Sequence, residues 1–573
     1  MLLNAIEDKM LLTFLKISYK IISHFRKRDY HLNRFPVNSS GHFDRNHFLL
    51  YFMRESEKGS VRVAFSVVLS AVIEGLHVEP VYVETDISNG LPVFHMVGYL
   101  SSEVKEASER VRTAIHNSDI QIPAKKIVIN LAPATVRKKG ASYDLPIALS
   151  LLAALGEIGT DRLKETMVIG ELSLDGRIRE VPGVLPVVME AKSLGCRRCI
   201  VPRGNAAEGA LVEGMEVLGV ENLKQAASYL AGEIEIVPEQ NGRWKKITTP
   251  LSNMIDFSDI RGQHAVKRAV EVAVAGGHNI LFIGPPGSGK SMIAQRIPTI
   301  LPPPAMEESM EITKIYSVLG LVDKERPLIT GRPFRSVHHT VTKSALIGGG
   351  LVPVPGEISL AHGGVLFLDE LAEFSKPVLE VLRQPLEERK IHINRVHGNY
   401  VFPSNFILAA AMNPCPCGNY PDLSKCSCTP WEIQKYLGRI SQPFLDRIDI
   451  CVEAPRIQYA DISQKGEEES SEQIRNRVIK ARQIQQKRYE GTGILTNSML
   501  SVKELDKFCH LKAEGECLMK QAFTSLNLTA RTYHKILRVA RTIADMDGRE
   551  SIEPVDLKEA ISYRTMDKKY WGR

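Results

Sequence analysis

Gly284-Pro285-Pro286-Gly287-Ser288-Gly289-Lys290-Ser291 constrains this chain more than any other stretch of it. The eight residues satisfy G-x-x-x-x-G-K-[ST] in full, and their surroundings are those the pattern needs. Four apolar residues, Ile280-Leu281-Phe282-Ile283, read as a short buried strand before it, and Met292 to Ile297 reads as a helix after it. A strand running through a glycine-rich loop into a helix is a phosphate cradle. Gly284, Gly287 and Gly289 let backbone N–H groups turn toward an anion, Ser288 adds another N–H, and the helix start adds positive potential. Lys290 is expected to reach the β- and γ-phosphates of ATP, and Ser291 to ligate Mg2+.

A second apolar run ends in carboxylates: Gly364-Val365-Leu366-Phe367-Leu368-Asp369-Glu370. Strands often end in acids, but this one follows the phosphate loop at the distance a nucleotide-hydrolysing core requires. Asp369 is expected to hold Mg2+ through water, and Glu370 to orient and polarise the attacking water. A third apolar run, Phe406 to Met412, ends at Asn413. An amide at that strand end suits a sensor that positions water beside the γ-phosphate.

At 573 residues the chain has room for about three or four domains. Residues 1–60 lack a clear period and read as an extension, or as sequence upstream of a true start at Met53. Residues 61–237 alternate strands and helices as a compact α/β domain, with strands at 81–87 and 126–131, helices at 104–115 and 145–155, and a strand end at 200–202. Residues 238–255 read as a linker, 256–455 as the nucleotide-binding core and 456–573 as a helix-rich unit. A net charge of +7 is compatible with nucleic acid and too small to argue for it. No apolar stretch reaches the ~18 residues of a membrane span, so a cytoplasmic protein is expected, and nine cysteines in so long a chain do not suggest a disulfide framework.

Together these residues resemble the magnesium-chelatase-like AAA+ ATPases, and within them the ComM/YifB competence-protein family. The resemblance is carried by DISNGLP (86–92), KGASYDLPIAL (139–149), GPPGSGKS (284–291), RPFRSVHHT (332–340), GVLFLDELAEF (364–374), NPCPCG (413–418), LDRIDI (445–450) and ARTYHKILRVARTIADMDG (530–548). It implies an AAA+ P-loop core with a helical lid, behind a Lon-protease-like α/β domain of ribosomal S5-like fold. It also implies a homo-oligomer, a hexameric ring, that uses ATP to drive branch migration or unwinding of DNA during recombination of imported DNA. By position in the family, Arg447 is an arginine finger that reaches the neighbouring subunit's γ-phosphate, and Arg531 is the lid arginine called sensor 2. The Gly- and Pro-rich segment from Arg335 to Gly363 corresponds to an insert in the second helix. Lys390 to Val401, with a turn around His397-Gly398-Asn399, corresponds to a hairpin facing the pore, where Lys390, His392, Arg395 and His397 would meet phosphates. The helix with Arg475, Arg477, Lys480 and Arg482 is the fallback for that contact and otherwise reads as a solvated face.

Cys415-x-Cys417 and Cys426-x-Cys428 lie in a loop rich in Pro and Gly that has no core of its own, and four thiolates at short range suggest a structural Zn2+. Cys196 and Cys199 read as structural thiols. In the Lon-like domain Ser142 falls near the nucleophile position, but Leu185-Pro186 stands where the base lysine belongs, and Lys192 comes seven residues later. A serine without a base is a weak nucleophile, so the domain is expected to bind or assemble rather than cut. Two other functions compete with a DNA motor: the ATPase subunit of a magnesium chelatase, and a remodelling factor for protein partners.

Overall fold

The computed structural model describes residues 65–240, 255–350, 352–395, 398–456 and 468–572. The expectations for residues 1–60, for most of the linker and for His397 lie outside the described residues.

The first sheet is mixed. β1 (Phe65–Glu74) and β2 (His77–Ser88) pair antiparallel along their whole length, from Phe65 opposite Asp86 to Glu74 opposite His77. β3 (Val93–Val97) runs parallel to β4 (Lys126–Ala132), which pairs antiparallel with β2. β5 (Thr166–Val168), β6 (Arg198–Pro202) and β7 (Glu216–Val220) extend the other edge in parallel, giving the order β3-β4-β2-β1-β5-β6-β7. Helices α1 (Ser102–His116), α2 (Asp144–Leu155), α3 (Val184–Ser193) and α4 (Leu223–Ala231) belong to the same layer system. α2 is apolar all round because it is buried all round: every residue from Asp144 to Ala154 is buried. Its one carboxylate, Asp144, is held by two hydrogen bonds donated by Arg110, at 2.8 and 2.9 Å.

The second sheet is all parallel. Helix α5 (His264–Gly276) precedes β8 (Ile280–Ile283), and α6 (Lys290–Ile300) and α7 (Met306–Val318) follow it. Next come β9 (Phe334–Val337), β10 (Val365–Leu368), the short helix α8 (Arg383–Glu388), the hairpin β11 (Lys390–Arg395) and β12 (Gly398–Pro403), then β13 (Ile407–Met412) and β14 (Ile450–Glu453). The order is β9-β10-β13-β8-β14, and every residue of β8, β10 and β13 is buried. A parallel sheet covered on both faces needs such unbroken apolar strands. The sheet puts the carboxyl ends of β8, β10 and β13, the three apolar runs of the sequence, side by side.

The C-terminal helices join this core rather than standing apart. Ile474, Val478 and Ala481 of α9 (Ser471–Arg488) and Ile536, Val539 and Ala540 of α10 (Ala530–Met546) share one apolar cluster with Val266, Ala269 and Val270 of α5. The basic helix is therefore not the solvated face expected of it. Arg477 is bonded to Glu271 at 2.5 Å and to Glu469 at 2.7 Å, Arg475 donates to the Thr299 carbonyl and Arg482 to the Val274 carbonyl. Of the four cations only Lys480 is exposed.

The hairpin also differs in detail from the expectation. Gly398 and Asn399, which the sequence places at the turn, belong to the second strand, paired with Arg395 and Asn394. Its inner face, Ile391, Ile393, Tyr400 and Phe402, is buried. Part of that face meets the β1–β2 turn. Gly75 sits there at φ +69°, and a Cβ on it would lie 3.1 Å from Tyr400 Cδ1 and 3.3 Å from Phe402 Cε1. Lys390 and His392 are exposed on the outer face, and Arg395 is exposed at the strand end, on the same face as Ile391 and Ile393. A second seam joins the sheets: the Gly183 N–H donates to the Ser317 carbonyl at 2.8 Å, and the Ser317 hydroxyl donates to Glu208.

Candidate nucleotide site and cysteine cluster

The loop between β8 and α6 is shaped by Gly287 (φ +76°) and Gly289 (φ +83°), a left-handed backbone that glycine adopts without steric cost. Lys290 is buried at the start of α6, and its ammonium donates to the carbonyls of Gly284 (2.8 Å) and Pro285 (2.9 Å). Asn413 Oδ1 lies 3.3 Å from the same nitrogen. Burial lowers the Lys290 pKa, while the Asp369 carboxylate acts in the opposite direction. The lysine is thus a desolvated cation on neutral acceptors, and phosphate oxygens would be stronger partners for it.

Ser291 Oγ donates to Asp369 Oδ2 at 2.6 Å, so the two residues assigned to Mg2+ already meet. The other Asp369 oxygen accepts the Glu370 N–H at 2.9 Å. Glu370 stands at φ +52°, a left-handed conformation that costs a non-glycine residue about 1–3 kcal/mol and collects at functional sites. Its carboxylate is largely exposed, and His339 Nδ1 lies 3.5 Å from it. Nothing in the residue order alone singles out His339 from the pair His338-His339 after β9. Its place beside Glu370 becomes visible only when β9 is laid parallel to β10.

A cavity of about 190 Å3 opens beside the loop, between Asp259–Gln263 and the start of α6, with Ile260, Met292 and Ile293 on its apolar side. Gln263 ties these parts together by donating to the carbonyls of Ser288 (3.3 Å) and Pro455 (2.7 Å). Residues 256–263 carry no pattern that marks them for this place beyond one polar turn before α5.

The two arginines are placed differently. Arg447 is buried, and its guanidinium bonds Glu387 of α8 at 2.6 Å, the Arg383 carbonyl at 3.2 Å and the Pro443 carbonyl. Arg531 is exposed in the first turn of α10, with no hydrogen bond or ion pair among the described residues. Neither touches Lys290, Ser291, Asp369, Glu370 or Asn413 within this chain. The Arg447 segment is nonetheless fixed firmly. Asn279 Nδ2 donates to the Arg447 carbonyl at 2.9 Å, and Lys535 Nζ donates to the Ile448 carbonyl at 2.8 Å. Asp449 accepts the Asn279 N–H at 3.0 Å and pairs with Lys535 at 3.0 Å. Burial works to raise the Asp449 pKa, but the Lys535 ammonium, the His278 ring and the Asn279 N–H outweigh it and hold the carboxyl well below its usual range.

The four clustered cysteines converge. Their sulfurs all lie within 4.8 Å of one another, with Cys415 to Cys417 at 3.3 Å, Cys417 to Cys426 at 3.6 Å and Cys415 to Cys426 at 3.8 Å. Tetrahedral Zn2+ with Zn–S of about 2.3 Å sets sulfurs about 3.8 Å apart, so Cys415, Cys417, Cys426 and Cys428 fit such an ion. The loop also leans on the nucleotide site: Gly418 has φ +80°, and a Cβ there would come 2.4 Å from Pro286 Cδ.

In the first sheet Ser142 is half-buried, and its carbonyl accepts the Gly170 N–H at 2.9 Å. Leu185 is wholly buried in the apolar core and Lys192 donates to the Glu213 carbonyl at 2.7 Å. No contact joins either residue to the serine. Cys196 and Cys199 are buried, and burial pushes both thiols up, Cys196 to about 11. A thiol held protonated is a poor nucleophile.

The chain matches the family described as magnesium chelatase, subunit ChlI, over residues 256–462. The related descriptions subunit ChlI of Mg-chelatase and magnesium chelatase, subunit ChlI C-terminal match residues 83–205 and 468–564. It is 41% identical over 507 residues to the uncharacterized protein YifB of Escherichia coli, covering 88% of this chain and 98% of that one. To the competence protein ComM of Haemophilus influenzae it is 40% identical over 509 residues, with the same coverage. A shorter match, 28% identical over 168 residues, covers 26% of this chain and 29% of Lon protease 2 of Bacillus subtilis. No helix among the described residues is long and apolar enough to cross a membrane. Matched in this way over most of its length, this chain belongs to the magnesium-chelatase-like AAA+ ATPases, in their ComM/YifB branch.

Proposed function

We propose that the protein is an ATP-driven ring motor that moves DNA, acting in branch migration or unwinding during recombination of imported DNA. The observation that carries the ring is the incomplete site. Lys290, Ser291, Asp369, Glu370 and Asn413 gather around one phosphate position, while Arg447 sits on Glu387 and serves no phosphate of its own chain. An arginine for the γ-phosphate must then come from a neighbour, and a closed ring of copies, six in the family arrangement, supplies one to every site. Adenine would occupy the cavity at Ile260, Gln263 and Met292. The competence protein among the relatives supports DNA as the substrate, and so do the exposed cations of the hairpin.

Those cations give the test. Phosphate contacts release counterions, so each one contributes about 0.9 to the slope of log affinity against log salt on duplex DNA and about 0.7 on single strands. Lys390→Ala with Arg395→Ala should therefore weaken DNA binding and flatten that slope by one to two such contacts, with basal ATPase retained. Equal affinity and slope in the parent and double variant would remove the hairpin from the DNA path.

We also propose that the cysteine cluster holds one structural Zn2+ and that the first sheet forms a Lon-like, S5-like domain that binds without cutting. Elemental analysis should find about one zinc per chain, and Cys415→Ser with Cys428→Ser should release it. Because Gly418 rests on Pro286, that variant should also weaken ATP binding. A metal-free protein with four freely titrating thiols and full ATP affinity would rule this out.

A further inference from the structure

A second cleft, of about 860 Å3, lies at the other end of the parallel sheet, where the strands begin. Gly364, Phe406 and Gly277 mark the starts of β10, β13 and β8 there, whereas the phosphate loop sits at the finish of β8. The opposite wall is the last two turns of α9 and the loop after it. Pockets for small ligands run from about 300 to 1,000 Å3, so the cleft is of ligand size.

Its charges are unbalanced. Arg332, Arg389, Arg482 and Lys487 line it against Glu308 and Glu490. Arg332 is satisfied by Glu308 at 2.8 Å. Arg389 has only neutral partners, Asn405 Oδ1 at 2.8 Å and Ser498 Oγ at 3.0 Å. Arg482 donates once, to the Val274 carbonyl at 2.7 Å, and its Nε is buried with no partner. Among the described residues neither Arg389 nor Arg482 pairs with a carboxylate.

This arrangement costs the free protein. Burial lowers the Arg482 pKa to about 9, and the guanidiniums of Arg332 and Arg389 push it the same way against the pull of Glu308. Burial likewise brings Arg389 down to about 10. Arg389 also stands at φ +56°, where a non-glycine residue is strained. Two half-buried guanidiniums that line one ligand-sized cleft without a carboxylate partner suit an anion, since charge-assisted bidentate bonds are the strong ones.

We propose that this cleft is a second anion site, separate from the ATP site, for a free phosphorylated ligand of nucleotide size, with Arg389 and Arg482 on its phosphate and the half-buried Phe406 beside its ring. The recessed position of both guanidiniums favours a small ligand over a nucleic-acid backbone, which needs cations at the surface. Lys487, the exposed cation at the rim, would attract the ligand rather than hold it.

The test uses the full chain carrying Lys290→Ala, which silences the phosphate loop, and titrates it calorimetrically with pyrophosphate, ADP and an oligodeoxythymidine. One pyrophosphate site should remain, and ADP should bind it more tightly than pyrophosphate. Adding Arg389→Gln and Arg482→Gln should weaken that site about 10- to 100-fold, the scale of losing charged hydrogen bonds. Lys487→Glu, which changes only the exposed rim, should weaken it less, and it keeps the test open should the double variant fail to fold. Two results would overturn the proposal: no pyrophosphate site in the Lys290→Ala chain, or a site untouched by the arginine and Lys487 variants. Displacement of pyrophosphate by the oligodeoxythymidine would overturn the assignment to a free ligand.

Discussion

Glu370→Gln is expected to leave ATP bound and to stop its turnover. The amide keeps the size of the side chain but cannot draw a proton from water, and such a loss is worth about 10²–10⁴ in rate. Lys290, Ser291 and Asp369 are unchanged in this variant, so ATP affinity should stay within a few-fold of the parent. Lys290→Ala should do the reverse: the ammonium bonded within the phosphate loop is gone, and binding itself should fail. Equilibrium binding beside single-turnover hydrolysis separates the two variants. Undiminished hydrolysis in Glu370→Gln would take the hydrolytic role from this carboxylate and turn attention to Asp369 and His339.

Arg447→Ala is expected to cost about 10³ or more in hydrolysis, the scale set by removing an arginine from a transferring phosphoryl group. The loss should be repaired by mixing. Arg447→Ala supplies a sound phosphate loop without the arginine, and Lys290→Ala supplies the arginine without a usable loop. In a mixed assembly some interfaces combine the two sound halves, so activity should return although each pure variant is nearly dead, and it should depend on protein concentration. Arg447 must exchange Glu387 for phosphate to do this, so Glu387→Gln, which loosens the present bond, should change the ATP dependence of assembly rather than abolish hydrolysis. Mixed particles confirmed by light scattering but inactive at every ratio would overturn the shared site.

The nucleotide half of this molecule was legible because its chemistry is local in sequence. A phosphate loop is one strand, one turn and one helix, and Asp369, Glu370 and Asn413 each end an apolar run that can only be a buried strand. What escaped was chemistry made by pairing distant strands. His339 meets Glu370 across β9 and β10, and Gln263 reaches the phosphate loop from a turn with no pattern of its own. Asp449 read as part of a family string, LDRIDI, whereas its position shows it anchoring the Arg447 segment to α10 through Lys535. The basic helix was misread for the opposite reason. Charge along a helix looks like solvent exposure, but Glu271, Glu469 and two backbone carbonyls take up three of its four cations. The convergence of the four cysteines was expected from their clustering in a loop without a core, although gaps of one residue are shorter than zinc ligand pairs usually show.

Gly75 makes the two sheets one machine part. A glycine at that turn lets the hairpin β11–β12 rest on β1–β2 at contact distance, with Tyr400 and Phe402 against bare backbone. The hairpin follows directly from α8, which holds Arg447 through Glu387, and its last strand leads into β13, which ends at Asn413. In the ring motor proposed above, a shift of Arg447 or Asn413 on hydrolysis would reach this hairpin, whose inner face bears on the first domain. In such a motor the first domain would serve as the fulcrum of the stroke rather than as cargo. A chain cut at the linker would keep the ATP site whole and leave the hairpin with nothing to push against.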